Sequence, residues 1–236
     1  MLAGPALASS TNDQRERHLS LHYYDYQEPG LMSVKSVLPT LSIGYRDHSS
    51  IRSRGLAGLG PSFDFEGFFG HTRYRGSGTH THNYYGVRGE VYVSLFGGLY
   101  AGLGYRWLFD DFGPGRTSTN AASYDRLSEY LYLPIGVLLP VEPSRSIRLQ
   151  VNYLIEGRQR SDLRQVPGFL TSATNRQRSG YGIDLTLSTG FKSLELYLRH
   201  WEIENSDLVA VETVQGQRLV FEPKNRTSEI GLRMGF

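Results

Sequence analysis

Three histidines fall within "HTRYRGSGTHTHNYY", residues 71–85: His71, His80 and His82. His80 and His82 are two apart, so in an extended segment they share a face, and with His71 they make a possible donor set for a divalent metal. No carboxylate lies in that stretch, and the plainer reading is a polar loop. Asp110 and Asp111 stand together in "LFDDFGPG", while "RHWEIEN" carries His200, Glu202 and Glu204. Carboxylates and an imidazole are what a hydrolase uses to activate water, although "DD" before Gly-Pro-Gly is equally a loop-start pair. Arg158, Arg160, Arg164, Arg176 and Arg178 crowd one short stretch, and guanidinium binds phosphate through paired N–H donors. The plainer reading there is a solvated basic loop. No zinc-protease, nucleophile-elbow or phosphate-loop signature occurs, and without cysteine there is neither a disulfide nor a thiolate metal site. No cofactor is expected.

The elements that carry these residues alternate with a period of two. In the closing stretch "TSEIGLRMGF", Ile230, Leu232, Met234 and Phe236 take one face and Glu229, Gly231, Arg233 and Gly235 the other. "FKSLELYLRHW" sets Leu194, Leu196 and Leu198 against Glu195, Tyr197, Arg199 and Trp201. Ten strands are predicted, at roughly 18–28, 35–47, 60–72, 86–97, 99–110, 126–140, 146–157, 179–189, 192–204 and 226–236. No convincing helix is found. With 39% apolar residues, no run approaches the 18 or more of a membrane-spanning helix, but strands can cross a membrane as a closed barrel. The 27 Gly, 16 Tyr and 11 Phe suit many strands joined by turns. A net charge of +2 with scattered basic residues gives no argument for nucleic acid.

The second face decides between a soluble sandwich and a barrel in lipid. It carries Arg, Glu, Asp, Tyr and Gly, with lysine only at 35, 192 and 224, so it reads as an enclosed polar lumen rather than a solvated surface. Parity points Tyr24, Glu28, Arg46, Glu66, Arg88, Glu90 and Arg106 into that lumen. It does the same for Arg148, Glu156, Asp184, Glu195, Arg199, Glu229 and Arg233. At eight to ten strands the interior is about wide enough for side chains to fill, which favours a plug over a pore. Short and long connections alternate over the last seven strands, as in outer-membrane barrels. "HTRYRGSGTHTHNYY" is then an outer loop and "DHSSIRSRGLAG" an inner turn longer than the rule wants. The expected fold is all-β, a closed antiparallel up-and-down transmembrane barrel over residues 18–236, with ten strands, or eight if "HLSLHYYDYQEPG" packs elsewhere. Residues 1–17 read as a flexible tail or, from "ALASS", the remnant of a signal peptide.

The stretches "YDYQEPGLMS", "GLGYRWLFDD", "YLYLPIG", "NRQRSGYG" and "EPKNRTSEIGLRMGF" resemble those of small, mostly uncharacterised outer-membrane β-barrel proteins of Gram-negative bacteria, from about residue 19 onward. The resemblance implies the bacterial outer membrane as location and its lipid and lipopolysaccharide as partners. It also implies that Phe236 is read by the barrel-assembly machinery. The five loop arginines would then face lipopolysaccharide phosphates. A structural or surface-interaction role is the first expectation for function. A narrow channel is the second. The third is a rim hydrolase, either an omptin-like protease or a lipid A-modifying enzyme, since omptin-type proteases are ten-stranded barrels with acidic residues and a histidine at the rim, although no motif aligns residue by residue.

Overall fold

The computed structural model describes residues 15–48, 61–142, 145–191 and 193–236. In chain order the strands are β1 (Arg15–Glu28), β2 (Met32–Ser36), β3 (Thr40–Asp47), β4 (Pro61–Gly76), β5 (Gly78–Ser94), β6 (Leu99–Asp111) and β7 (Arg126–Glu142). They continue as β8 (Arg145–Ser161), β9 (Ala173–Gln177), β10 (Gly180–Ser188), β11 (Leu194–Ile203), β12 (Val209–Thr213), β13 (Gly216–Val220) and β14 (Asn225–Gly235). A single 3₁₀ turn at Leu163–Gln165 is the one helical element among the described residues.

Every neighbouring pair is antiparallel, and β14 joins β11 on one side and β1 on the other, which closes the ring. Two staves are interrupted. β2 and β3 both lie between β1 and β4, and β9 and β10 together fill the place beside β8. The first break contains Pro39, which has no N–H to give a ladder. The wall is therefore a closed barrel of ten staves, and the eight-strand alternative fails because Leu19–Gln27 pair residue for residue with Arg226–Met234.

The alternation seen in the sequence becomes inside and outside. Leu21, Ile43, Phe65, Leu103, Leu149, Leu198, Ile230 and Leu232 are exposed on the outer surface. Tyr24, Arg46, Glu66, Arg88, Arg106, Tyr132, Arg199 and Arg233 are buried in the lumen. A glycine in the wall can make room for a ring: a Cβ on Gly104 would overlap Tyr132.

Two expectations need correction. The expected outer loop 71–85 is a continuation of β4 and β5, paired from Arg73↔Thr81 to Gly76↔Gly78, with Gly78 at φ 96° in the turn. Beyond the apolar band both faces of these strands are polar, so the apolar signal ends before the hydrogen-bonded ladder does. Glu156 is not in the lumen. Tyr132 pairs with Leu154 and Leu131 with Glu156, which leaves Ile155 as the extra residue of a bulge. Beyond it the inward set changes from Arg148, Gln150, Asn152 and Leu154 to Gly157, Gln159 and Ser161. The long segment before β14 holds the β12–β13 hairpin. Most of the expected inner turn "DHSSIRSRGLAG" lies outside the described residues.

Candidate functional site

The lumen is crossed by ion pairs at three heights. At its centre Glu66 of β4 and Glu229 of β14 serve four arginines. Arg199 lies 2.6 Å from Glu66 and 3.3 Å from Glu229, and Arg88 lies 3.3 and 3.1 Å from the same two. Arg233 reaches Glu66 at 3.2 Å, and Arg106 reaches Glu229 at 3.2 Å. Tyr197 and Tyr84 close this layer against His22, at 3.1 and 3.4 Å. Toward the short-turn end, Arg46 pairs with Glu16 and, at 2.6 Å, with Glu195, while Arg148 faces Asp64 at 3.7 Å. Beside them Tyr92 and Tyr132 donate to Glu90, and Gln150 and Asn152 donate to Asp184. Burial in a low dielectric makes each of these pairs depend on its partner.

The third layer lies at the mouth on the long-loop side. Arg126 contacts Glu28 at 2.9 Å, Asp110 at 3.7 Å and Glu222 at 3.8 Å, with Tyr26 donating to both Glu28 and Glu222. His82 lies 3.4 Å from Asp110 and is covered by Phe112, whose ring stacks on it at 3.6 Å. The β12–β13 hairpin packs against the segment between β8 and β9, with Phe169 bridged to Thr213 and Leu170 N–H donating to the Glu212 carbonyl. Val211 is buried with Leu163 and Ala173, and Val209 and Val220 pack alongside. Its base is closed by Glu222, whose N–H donates to Ser206 Oγ at 2.7 Å while Ser206 N–H donates to the Glu222 carbonyl.

Burial pushes the Glu222 carboxyl up to about 7, with Glu28 adding to the rise and Arg126 opposing it. A carboxyl raised in the folded state stabilises it when protonated, so the folded structure around Glu222, at the base of the hairpin, loses stability as pH rises from the ordinary carboxylate range through about 7. Amide-exchange protection of residues 209–220 is expected to fall over that window in the native protein and to become pH-independent in Glu222→Gln. Protection that is flat in the native protein would refute the linkage.

The sequence-derived candidates separate. His80 and His82 do share the inner face, with rings 6.4 Å apart. His71 points outward, bonded to Asn83 at 2.9 Å, and no metal-binding group of three or more such side chains occurs among the described residues. Asp110 faces the lumen and Asp111 is exposed. His200 lies on the outer face, bonded to Ser228 at 2.9 Å. Asp110 and His200 thus sit on opposite sides of the wall, and the catalytic pairing considered for them is lost. Arg158, Arg160, Arg176 and Arg178 are exposed on adjacent rungs of β8 and β9 or just beyond, and Arg158↔Arg176 are direct cross-strand partners. Arg164 sits apart in the loop, paired with Asp162 at 2.9 Å, and hydrogen bonds from Arg164 and Ser172 hold that carboxyl below its ordinary range. Phe236 is exposed, its N–H donating to the Arg17 carbonyl at 2.9 Å. Sequence reasoning missed His18 and His22, both buried, although extending the parity of Tyr24 down β1 finds them.

No protein-family model and no curated protein matches this chain. Its fold is similar to that of several solved barrels. The outer-membrane protease OmpT of Escherichia coli is 9% identical, with 94% of this chain and 96% of that chain covered and a TM-score of 0.47. The β-domain of the Bordetella autotransporter BrkA is 14% identical, with 95% and 100% covered and a TM-score of 0.45. The translocator domain of the autotransporter NalP from Neisseria meningitidis is 11% identical, with 94% and 88% covered and a TM-score of 0.45.

With the pairing of Asp110 and His200 gone, the chemistry on offer divides in two. Inside, buried charges bind one another. Outside, arginines stand above an apolar wall.

Proposed function

We propose that this chain is an integral barrel of the bacterial outer membrane whose lumen is a structural plug and whose work is done at its outer rim. The carrying observation is the central layer, where Glu66 and Glu229 draw four arginines from β5, β6, β11 and β14 across the barrel axis. Paired guanidinium and carboxylate groups satisfy each other there in place of water. The outward band of Leu, Ile, Val and Phe supports the membrane setting, since an apolar surface of that extent needs lipid cover. The barrel-assembly machinery would insert it, and the rim arginines would contact lipopolysaccharide phosphates.

Planar-bilayer recording tests the plug. The expected result is insertion without stepwise conductance. A conductance whose size or ion selectivity changes in Arg106→Ala would replace this reading with a narrow channel.

A further inference from the structure

The ladder of the barrel wall has a gap. β10 pairs with β8 from Ser188↔Ser146 up to Tyr181↔Tyr153, and β9 resumes at Gln177↔Gly157. On this side Leu154, Ile155 and Glu156 have no cross-strand partner in β9 or β10, and Arg178 and Ser179 belong to neither strand. Backbone left out of a ladder is costly in hydrocarbon, so the gap marks the height at which headgroups and water reach the wall.

A groove of about 370 Å³ opens on the outer surface at this gap, lined by Val151, Tyr153, Tyr181, Ile183, Ser179 and Glu202, among others. Its floor is continuous with the apolar band, since Tyr153, Tyr181 and Ile183 are exposed on the lipid side. Its two lips differ in charge. Beyond the residues that line it, further along β8 and β9, stand Arg158 and Arg176, both reaching toward the single carboxylate of Glu156, at 2.8 and 3.8 Å. Arg178 follows on the same face. On the β11 side are Glu202 and Glu204, both contacted by Lys224, at 3.6 and 2.8 Å. Tyr181 OH also donates to Glu202.

Resting on the outer-membrane reading above, we propose that this groove seats one acyl chain of the phosphorylated glycolipid of the outer leaflet, with its phosphate held by Arg158, Arg176 and Arg178. The apolar floor takes the chain and the arginine lip, with its excess of positive charge, takes the phosphate. The acidic lip accepts from sugar hydroxyl or amide groups, which fixes the headgroup in one orientation. An acyl chain without phosphate satisfies only half the site, and so does a free phosphate.

The test reconstitutes the full chain into phosphatidylethanolamine vesicles doped with lipid A or with dephosphorylated lipid A, releases it in mild detergent, and measures retained lipid by native mass spectrometry. The native protein is expected to retain one lipid A and at least about tenfold less of the dephosphorylated form, a difference of about 1.4 kcal/mol. Arg158→Ala/Arg176→Ala should remove that preference, and Val151→Trp, which fills the floor, should reduce retention of both lipids. The comparison of the two lipids on native protein does not depend on any variant folding. Equal retention of both lipids, or of neither, by normally inserted protein overturns the proposal. Failure of the native protein to enter vesicles at all would instead overturn the membrane reading.

Discussion

Replacing Glu229 with glutamine is expected to destabilise the folded barrel by about 3–5 kcal/mol, the cost of leaving buried charges without their counter-ion. Glu229 lies 3.1 Å from Arg88, 3.2 Å from Arg106 and 3.3 Å from Arg199, and it is buried. Arg88 and Arg199 retain Glu66 after the change, but Arg106 has no other ion pair among the described residues. Glutamine keeps the volume and one acceptor oxygen, so a large loss would be electrostatic rather than a cavity effect. The reverse change, Arg106→Met, should cost less, about 1–3 kcal/mol, since Glu229 keeps two guanidiniums and methionine fills part of the space. Urea unfolding in lipid vesicles reads both. Trp201, buried against Tyr130 and Tyr132, reports the lumen, and Trp107 reports the outer surface. A loss below about 1 kcal/mol for Glu229→Gln, or a larger loss for Arg106→Met, would mean that water already screens this layer.

The faces of the wall were legible because lipid and lumen impose opposite demands on successive residues. Leu198 and Arg199, or Ile230 and Glu229, could be assigned from type alone. The signal failed where that contrast ends. Arg73, Thr79 and Thr81 stand beyond the apolar band, so the ladder of β4 and β5 continues there without an apolar face to announce it. It also failed at Ile155, where one inserted residue reverses the parity and carries Glu156 outward. Which arginine meets which carboxylate was not legible at all. Arg88 and Glu229 are 141 residues apart, and only closure of the ring brings them together. The same limit applies to the pair considered at the mouth, since a count of residue types there does not say that His200 faces out while Asp110 faces in beside His82.

Leu198→Arg is expected to destabilise the inserted barrel by about 2–4 kcal/mol, the cost of a cation on the lipid face near the bilayer midplane. Leu198 is 42% exposed on the outer surface, and its cross-strand partners are Leu185 on β10 and Ile230 on β14, both apolar and outward. No carboxylate stands on any of these three rungs, so the new guanidinium has no partner at that depth. Arginine can extend toward the headgroups and recover part of the cost, which places Leu198→Arg below a fully buried charge and above a rim substitution such as His200→Arg. The neighbouring residue gives the internal control. Arg199→Met removes a charge from the lumen, but Glu66 keeps Arg88 and Arg233 while Glu229 keeps Arg88 and Arg106, so its cost should be about 1–3 kcal/mol. Unfolding free energies in vesicles should therefore rank Leu198→Arg as the more damaging of the two, with His200→Arg close to native. If His200→Arg and Leu198→Arg cost the same, the two positions share one environment. The apolar band would then not be a lipid face, and the arginine lip on β8 and β9 would not stand at a headgroup boundary.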